Sequence, residues 1–141
     1  MSVILRLIPT AADLKQRPPM SDTVAYGGYL TTIAGCAECH TEAKHGQINP
    51  DKIFMGGRIF NMPAGELESP NITSDREKGI GAWTRENFIE RFKAYENPNE
   101  LVQVGAKDKN TIMPWSMYAG MDTADLAAIY AYLRTVPIKI K

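Results

Sequence analysis

Residues 35–41 read GCAECHT, and the two cysteines in that stretch are the only ones in a chain of 141 residues. Cys36 and Cys39 stand three positions apart, and His40 follows directly. A dithiol of this spacing can cycle to a disulfide, but that chemistry belongs to a C-x-x-C that follows a strand and opens a βαβ unit, and no strand pattern precedes Gly35. A structural zinc site needs four nitrogen or sulfur ligands, and only His45, one short loop away and poorly placed, is left to complete the set. Two small buried cysteines beside a surface histidine would leave the spacing without meaning. The third chemistry is covalent haem attachment, in which each thiol adds across a vinyl group of the porphyrin and the adjoining histidine ligates iron. That reading uses all three residues and matches C-x-x-C-H position for position.

Around this motif the composition describes one small unit. A chain of 141 residues is long enough for one core and hardly for two. Residues 1–20 read as an irregular N-terminal extension, broken by Pro9, Pro18 and Pro19, and residues 21–141 as a single domain around one cofactor. Sixteen basic and sixteen acidic residues cancel, so nothing in the charge suggests a nucleic-acid partner and none is expected, which leaves partner binding to local patches. No apolar run approaches the roughly 20 residues of a membrane span. The opening MSVILRLIP is too short and too lightly charged for a signal peptide. Haem attachment to C-x-x-C-H takes place outside the bacterial cytoplasm, so a periplasmic location is expected, with a leader removed or replaced.

Ser21 or Asp22 can cap a helix carrying Val24, Gly27, Gly28, Leu30, Thr31 and Ile33 up to the cysteines. Each internal glycine costs about 1 kcal/mol relative to alanine, so the pair points to a second helix crossing at close range. From Thr41 to Trp83 breakers dominate and no period is sustained, which reads as a long loop packed on the cofactor. Thr84 then caps RENFIERFKAYE, with Phe88, Ile89, Phe92 and Tyr95 on one face, and Asn97 and Pro98 stop it. A second loop runs from Asn99 to about Gly120. Asp122 or Thr123 caps ADLAAIYAYLRTV, with Leu126, Ile129, Tyr130 and Leu133 on one face and Pro137 at its end.

Iron with one histidine needs a sixth ligand unless its site stays open for a small molecule. Met113, Met117 and Met121 all lie in TIMPWSMYAGM. Met113 is the first choice because Pro114 fixes the backbone behind it, and Met117 is the rival. Asn71, Thr73 and Trp83 can donate hydrogen bonds to the haem propionates, although Trp83 can equally pack on the porphyrin edge. Arg58 can pair with a propionate or remain a solvated surface charge.

Three stretches, GCAECHT, PNITSDREKGIGAW (70–83) and MPWSMYAGMDTADLAAIYAYLRTVP (113–137), resemble the class I c-type cytochromes. The resemblance is to the haem domains in cytochrome subunits of bacterial membrane-bound alcohol, aldehyde and gluconate dehydrogenases, and it extends from about residue 24 to 137. It implies an all-α fold, a small helical domain with long loops wrapped around one covalently bound haem c. It also implies His40 and Met113 as the two iron ligands, and Gly28 and Tyr132 as partners where the first and last helices cross. Those subunits carry three haem domains and a membrane anchor, whereas this chain has one attachment motif and no anchor, so a stand-alone carrier is expected.

The expected function is single-electron transfer between periplasmic redox partners, a dehydrogenase or an oxidase among them, with no catalysis of its own. A haem enzyme or a gas or redox sensor would instead keep the distal side of the iron open, and Met113 is the residue that separates the two readings.

Overall fold

Asp22 opens the first helix by accepting the Ala25 amide on its carboxylate (3.1 Å), which satisfies one of the amides a helix start leaves unpaired. The computed structural model describes residues 16–105, 107–108 and 110–138, so most of the expected extension 1–20 lies outside the described residues. Among them the helices are α1 (Thr23–Ile33), α2 (Cys36–Cys39), α3 (Arg85–Lys93), α4 (Trp115–Ala119) and α5 (Thr123–Leu133). None is long and apolar enough to cross a membrane.

The all-α expectation is overturned. Residues 41–83 hold two antiparallel hairpins, β1 (Ala43–Lys44) with β2 (Gln47–Ile48), and β3 (Ile59–Met62) with β4 (Gly65–Glu68). The fold is therefore mixed, helices with two small sheets. The physical reason is that a loop packed against apolar surface must still pair its amides and carbonyls, and where helical periodicity is absent it does so with itself. In β3–β4 the register sets Phe60 opposite Leu67. Around the hairpins the chain is tied back to the attachment motif: Gly56 N donates to His40 O (2.8 Å), Phe54 N to the buried Thr41 hydroxyl (3.1 Å), and Ile72 N to Phe54 O (2.9 Å).

The core forms where α1 crosses α5. Gly27 is the closest point: a Cβ there would overlap the Ala128 carbonyl and lie 2.9 Å from Tyr132 Cβ. Gly28, one residue on, would place a Cβ 3.0 Å from the Tyr132 ring. The two glycines therefore let the helix backbones approach, and Tyr26, Leu30, Ala128, Ile129 and Leu133 close the core around them. α3 packs on α5 through Phe88 and Tyr130, rings 5.5 Å apart, and its Thr84–Asn87 capping box fixes where it starts.

Candidate functional site

Ala34 caps α1, and Gly35 takes a left-handed φ of 66° that turns the chain directly into α2. This conformation suits a residue without Cβ. The single turn of α2 carries Cys36 and Cys39 at its two ends, and His40 follows as its C-cap, with its amide on Cys36 O (2.9 Å). No disulfide joins the two cysteines.

The His40 ring is buried and fixed by a bond between Nδ1 and Pro70 O at 2.9 Å. A carbonyl only accepts, so Nδ1 carries the hydrogen and Nε2 keeps its lone pair. Burial holds the imidazole pKa below its ordinary value, against a smaller opposing pull from the Pro70 carbonyl, which favours the neutral ring that binds metals. Cys36 is pushed up to about 11, chiefly by burial, then by Glu38 and Cys39. His45 sits exposed in the β1–β2 turn, and no group of three or more His, Cys, Asp or Glu side chains gathers as a metal site among the described residues.

Cys36, Cys39, His40 and Met113 all line one cavity of about 830 Å³. Its walls are mostly apolar, with Phe60 and Leu67 from the β3–β4 hairpin, Ile80, Phe88 and Phe92, and Leu126, Ile129 and Leu133 from α5. That volume falls within the span of about 300–1,000 Å³ seen for cofactor sites. An apolar chamber with two thiols, a neutral imidazole and a thioether on its wall suits a large flat porphyrin with vinyl groups and an iron atom.

The other sequence candidates divide. Met121 also reaches the wall, whereas Met117 is 76% exposed and does not. Trp83 and Asn71 line the cavity. Thr73 does not: it is fully buried, and its hydroxyl donates to Asn71 Oδ1 at 2.7 Å. Arg58 is also off the wall, with Nη1 on Glu38 O (2.6 Å) and its guanidinium over the Phe60 ring. The cations the structure does bring to the cavity are Lys78 and Arg91, neither of which is a candidate on sequence grounds above. Arg91 has a local signal, its spacing of three residues after Phe88 on the same helix. Tyr118 is a further addition; it lines the cavity, and its hydroxyl donates to Ala34 O at 2.6 Å.

Comparison with known proteins agrees with this architecture. The family model for cytochrome c matches residues 24–137. The chain is 34% identical over 116 residues to the cytochrome c subunit of a quinone alcohol dehydrogenase from Gluconacetobacter polyoxogenes, covering 79% of this chain and 21% of that subunit. It is 29% identical over 113 residues to the fructose dehydrogenase cytochrome subunit of Gluconobacter japonicus, covering 80% and 21% respectively. A diheme cytochrome c-type protein of Cereibacter sphaeroides is 27% identical over 143 residues, covering 94% of this chain and 46% of that protein. The chain thus spans about a fifth of the length of the dehydrogenase subunits it matches. With the attachment motif, the crossing helices and the cavity in place, this chain belongs to the cytochrome c family.

Proposed function

We propose that this domain binds one haem c, anchored by Cys36 and Cys39 and ligated by His40 Nε2 and Met113, and that it relays single electrons on the periplasmic side rather than catalysing a reaction itself. The observation that carries the reading is the sharing of one apolar cavity by two thiols, a neutral imidazole held on Pro70 O, and Met113. When bound, the haem supplies reversible one-electron exchange.

The protein's part is to hold and to exclude. The Pro70 carbonyl fixes both the tautomer and the orientation of His40, the kind of supporting contact that tunes a metal ligand. A thioether is a soft donor that favours the reduced metal, so the His/Met pair raises the potential above that of two histidines. The aromatic and aliphatic walls keep water from the site, and Asn71, Lys78 and Arg91 supply polar groups for the propionates. Cys39 is exposed, which puts the attachment edge within reach of a partner across a small, transient contact. The relatives' names supply the class of partner, a dehydrogenase. The deciding experiment is spectroscopic. Oxidised holoprotein should show the weak near-infrared sulfur-to-iron band, and reduced protein should resist carbon monoxide; a missing band with ready carbon monoxide binding would instead mark an open-site enzyme or sensor.

A further inference from the structure

The loop that carries Met113 has little of its own to hold it. Between residues 102 and 112 the one backbone-to-backbone hydrogen bond among the described residues is Asp108 N to Gly105 O (3.0 Å); the Gly105, Thr111 and Met113 amides reach only side chains of the same loop, Asp108 Oδ2 (3.0 Å), Asn110 Oδ1 (2.7 Å) and Thr111 Oγ1 (3.0 Å), and Val102, Val104 and Ile112 face solvent. Restraint comes from α4. Only Pro114 separates Met113 from that helix, and Trp115 N returns to Met113 O at 2.8 Å, so a displacement of α4 displaces Met113.

A five-residue helix has too little intrinsic stability to fix anything alone. α4 is clasped at two points. Tyr118 Oη donates to Ala34 O at 2.6 Å, across 84 residues of sequence. Ala34 caps α1, where carbonyls lack intrahelical donors, and it directly precedes the turn that presents Cys36. From the other side Lys93 Nζ, on α3, donates to Ala119 O at 2.8 Å. Between the clasps Trp115 stacks on Tyr95, centroids 5.0 Å apart, and the Arg91 guanidinium lies 4.8 Å from its ring centroid.

We infer that Tyr118 and Lys93 are positioning residues for Met113, holding α4 against α1 and α3 so that the thioether stays in the cavity against competing ligands. The inference rests on Met113 as an iron ligand. Tyr118 links the methionine loop to the segment that bears the attachment cysteines, so one hydroxyl joins both sides of the site. Lys93 does the same work from outside, since it is not on the cavity wall.

The test is an imidazole titration of ferric holoprotein, read on the near-infrared sulfur band. Tyr118→Phe and Lys93→Met should each take up imidazole about fivefold more tightly, the ratio that one ordinary intramolecular hydrogen bond supports. Tyr130→Phe is the matched control, because it deletes a tyrosine-to-carbonyl bond of similar length, to Trp83 O at 2.7 Å, away from α4. It should lower stability comparably and leave imidazole affinity as in the wild type. Tyr118→Phe and Lys93→Met both matching the wild type, or Tyr130→Phe shifting as far as they do, would overturn the clasp while leaving Met113 as ligand. A wild-type protein without the sulfur band would overturn both.

Discussion

His40 and Met113 line the same cavity, yet the chain holds them by different means. His40 follows a helical turn, its ring is fixed on Pro70 O, and its own carbonyl receives Gly56 N. Gly56 itself admits no Cβ, which would come 2.5 Å from Ser69 O and 2.7 Å from Asn71 N, so backbone packs on backbone behind the histidine. Met113 sits at the end of a sparsely bonded, solvent-facing loop, its amide on the nearby Thr111 hydroxyl (3.0 Å), and is tied to the rest of the fold through α4. The attachment side is constrained by main chain and the methionine side by a few side chains. Disrupting the first should therefore damage assembly, and disrupting the second should alter the site while the fold survives.

The largest effect belongs to the attachment side. Cys36→Ser combined with Cys39→Ser should remove covalent retention entirely, so that acid-acetone extraction strips the haem from the variant and leaves it on the wild type. Free haem released from the wild type would overturn the attachment reading.

On the methionine side, Met113→Ala should abolish the near-infrared band, lower the reduction potential and admit carbon monoxide or cyanide, with secondary structure unchanged by circular dichroism. Losing the thioether removes the donor that favours ferrous iron. Met117→Ala should do little, because that side chain is 76% exposed and off the cavity wall. The reverse pattern would reassign the ligand and leave the carrier reading standing.

These two tests fall on residues that the sequence singles out, because motif spacing and a following proline are local signals. The three longer helices are legible too, since they start after Asp22, Thr84 and Asp122 as their polar cap positions lead one to expect. The hairpins are not, since strands of two and four residues are too short to display a period of two, and Ile59–Met62 alternates between exposed and half-buried rather than polar and buried. α4 is also hidden, inside a stretch whose sequence reads as loop. Arg58 and Thr73 are reasonable donors by type, but Arg58 Nη1 goes to Glu38 O, 20 positions away, and the Thr73 hydroxyl to Asn71 Oδ1, and neither residue is on the cavity wall; such pairings leave no mark on the sequence. Tyr118 and Lys93 escape for the same reason, since their partners lie 84 and 26 positions away.

A smaller effect separates two neighbouring glycines on the helix that delivers the motif. Gly27→Ala sets a methyl against the Ala128 carbonyl, which no rotamer change can relieve, so the variant should lose about 1–3 kcal/mol in denaturant unfolding. Gly28→Ala meets only the Tyr132 ring, at 3.0 Å, and that ring can turn. Alanine also recovers up to about 1 kcal/mol of helix propensity, so Gly28→Ala should be near neutral. Equal losses at the two positions would mean that the helices do not approach most closely at Gly27.

The smallest effect probes the turn that comes after Pro70 and so backs the attachment side. Asp75 accepts the amides of Glu77 (2.8 Å) and Lys78 (3.0 Å) on Oδ1, while Gly79 and Gly81 amides close on its carbonyl. The Lys78 and Glu77 amides hold the carboxyl below its ordinary pKa. A carboxylate depressed in the folded state binds fewer protons than the unfolded chain, so its contribution is fully present above the ordinary value of about 3.9 and is lost as pH falls below it. Asp75→Ala should therefore destabilise the protein at neutral pH and flatten the acid limb of its stability curve. Asp75→Asn, which keeps an amide-accepting oxygen without the charge, should flatten the acid limb while retaining more stability at neutral pH. An acid limb unchanged in both variants would show that this turn is held by its main-chain bonds alone, as the backbone packing behind His40 already is.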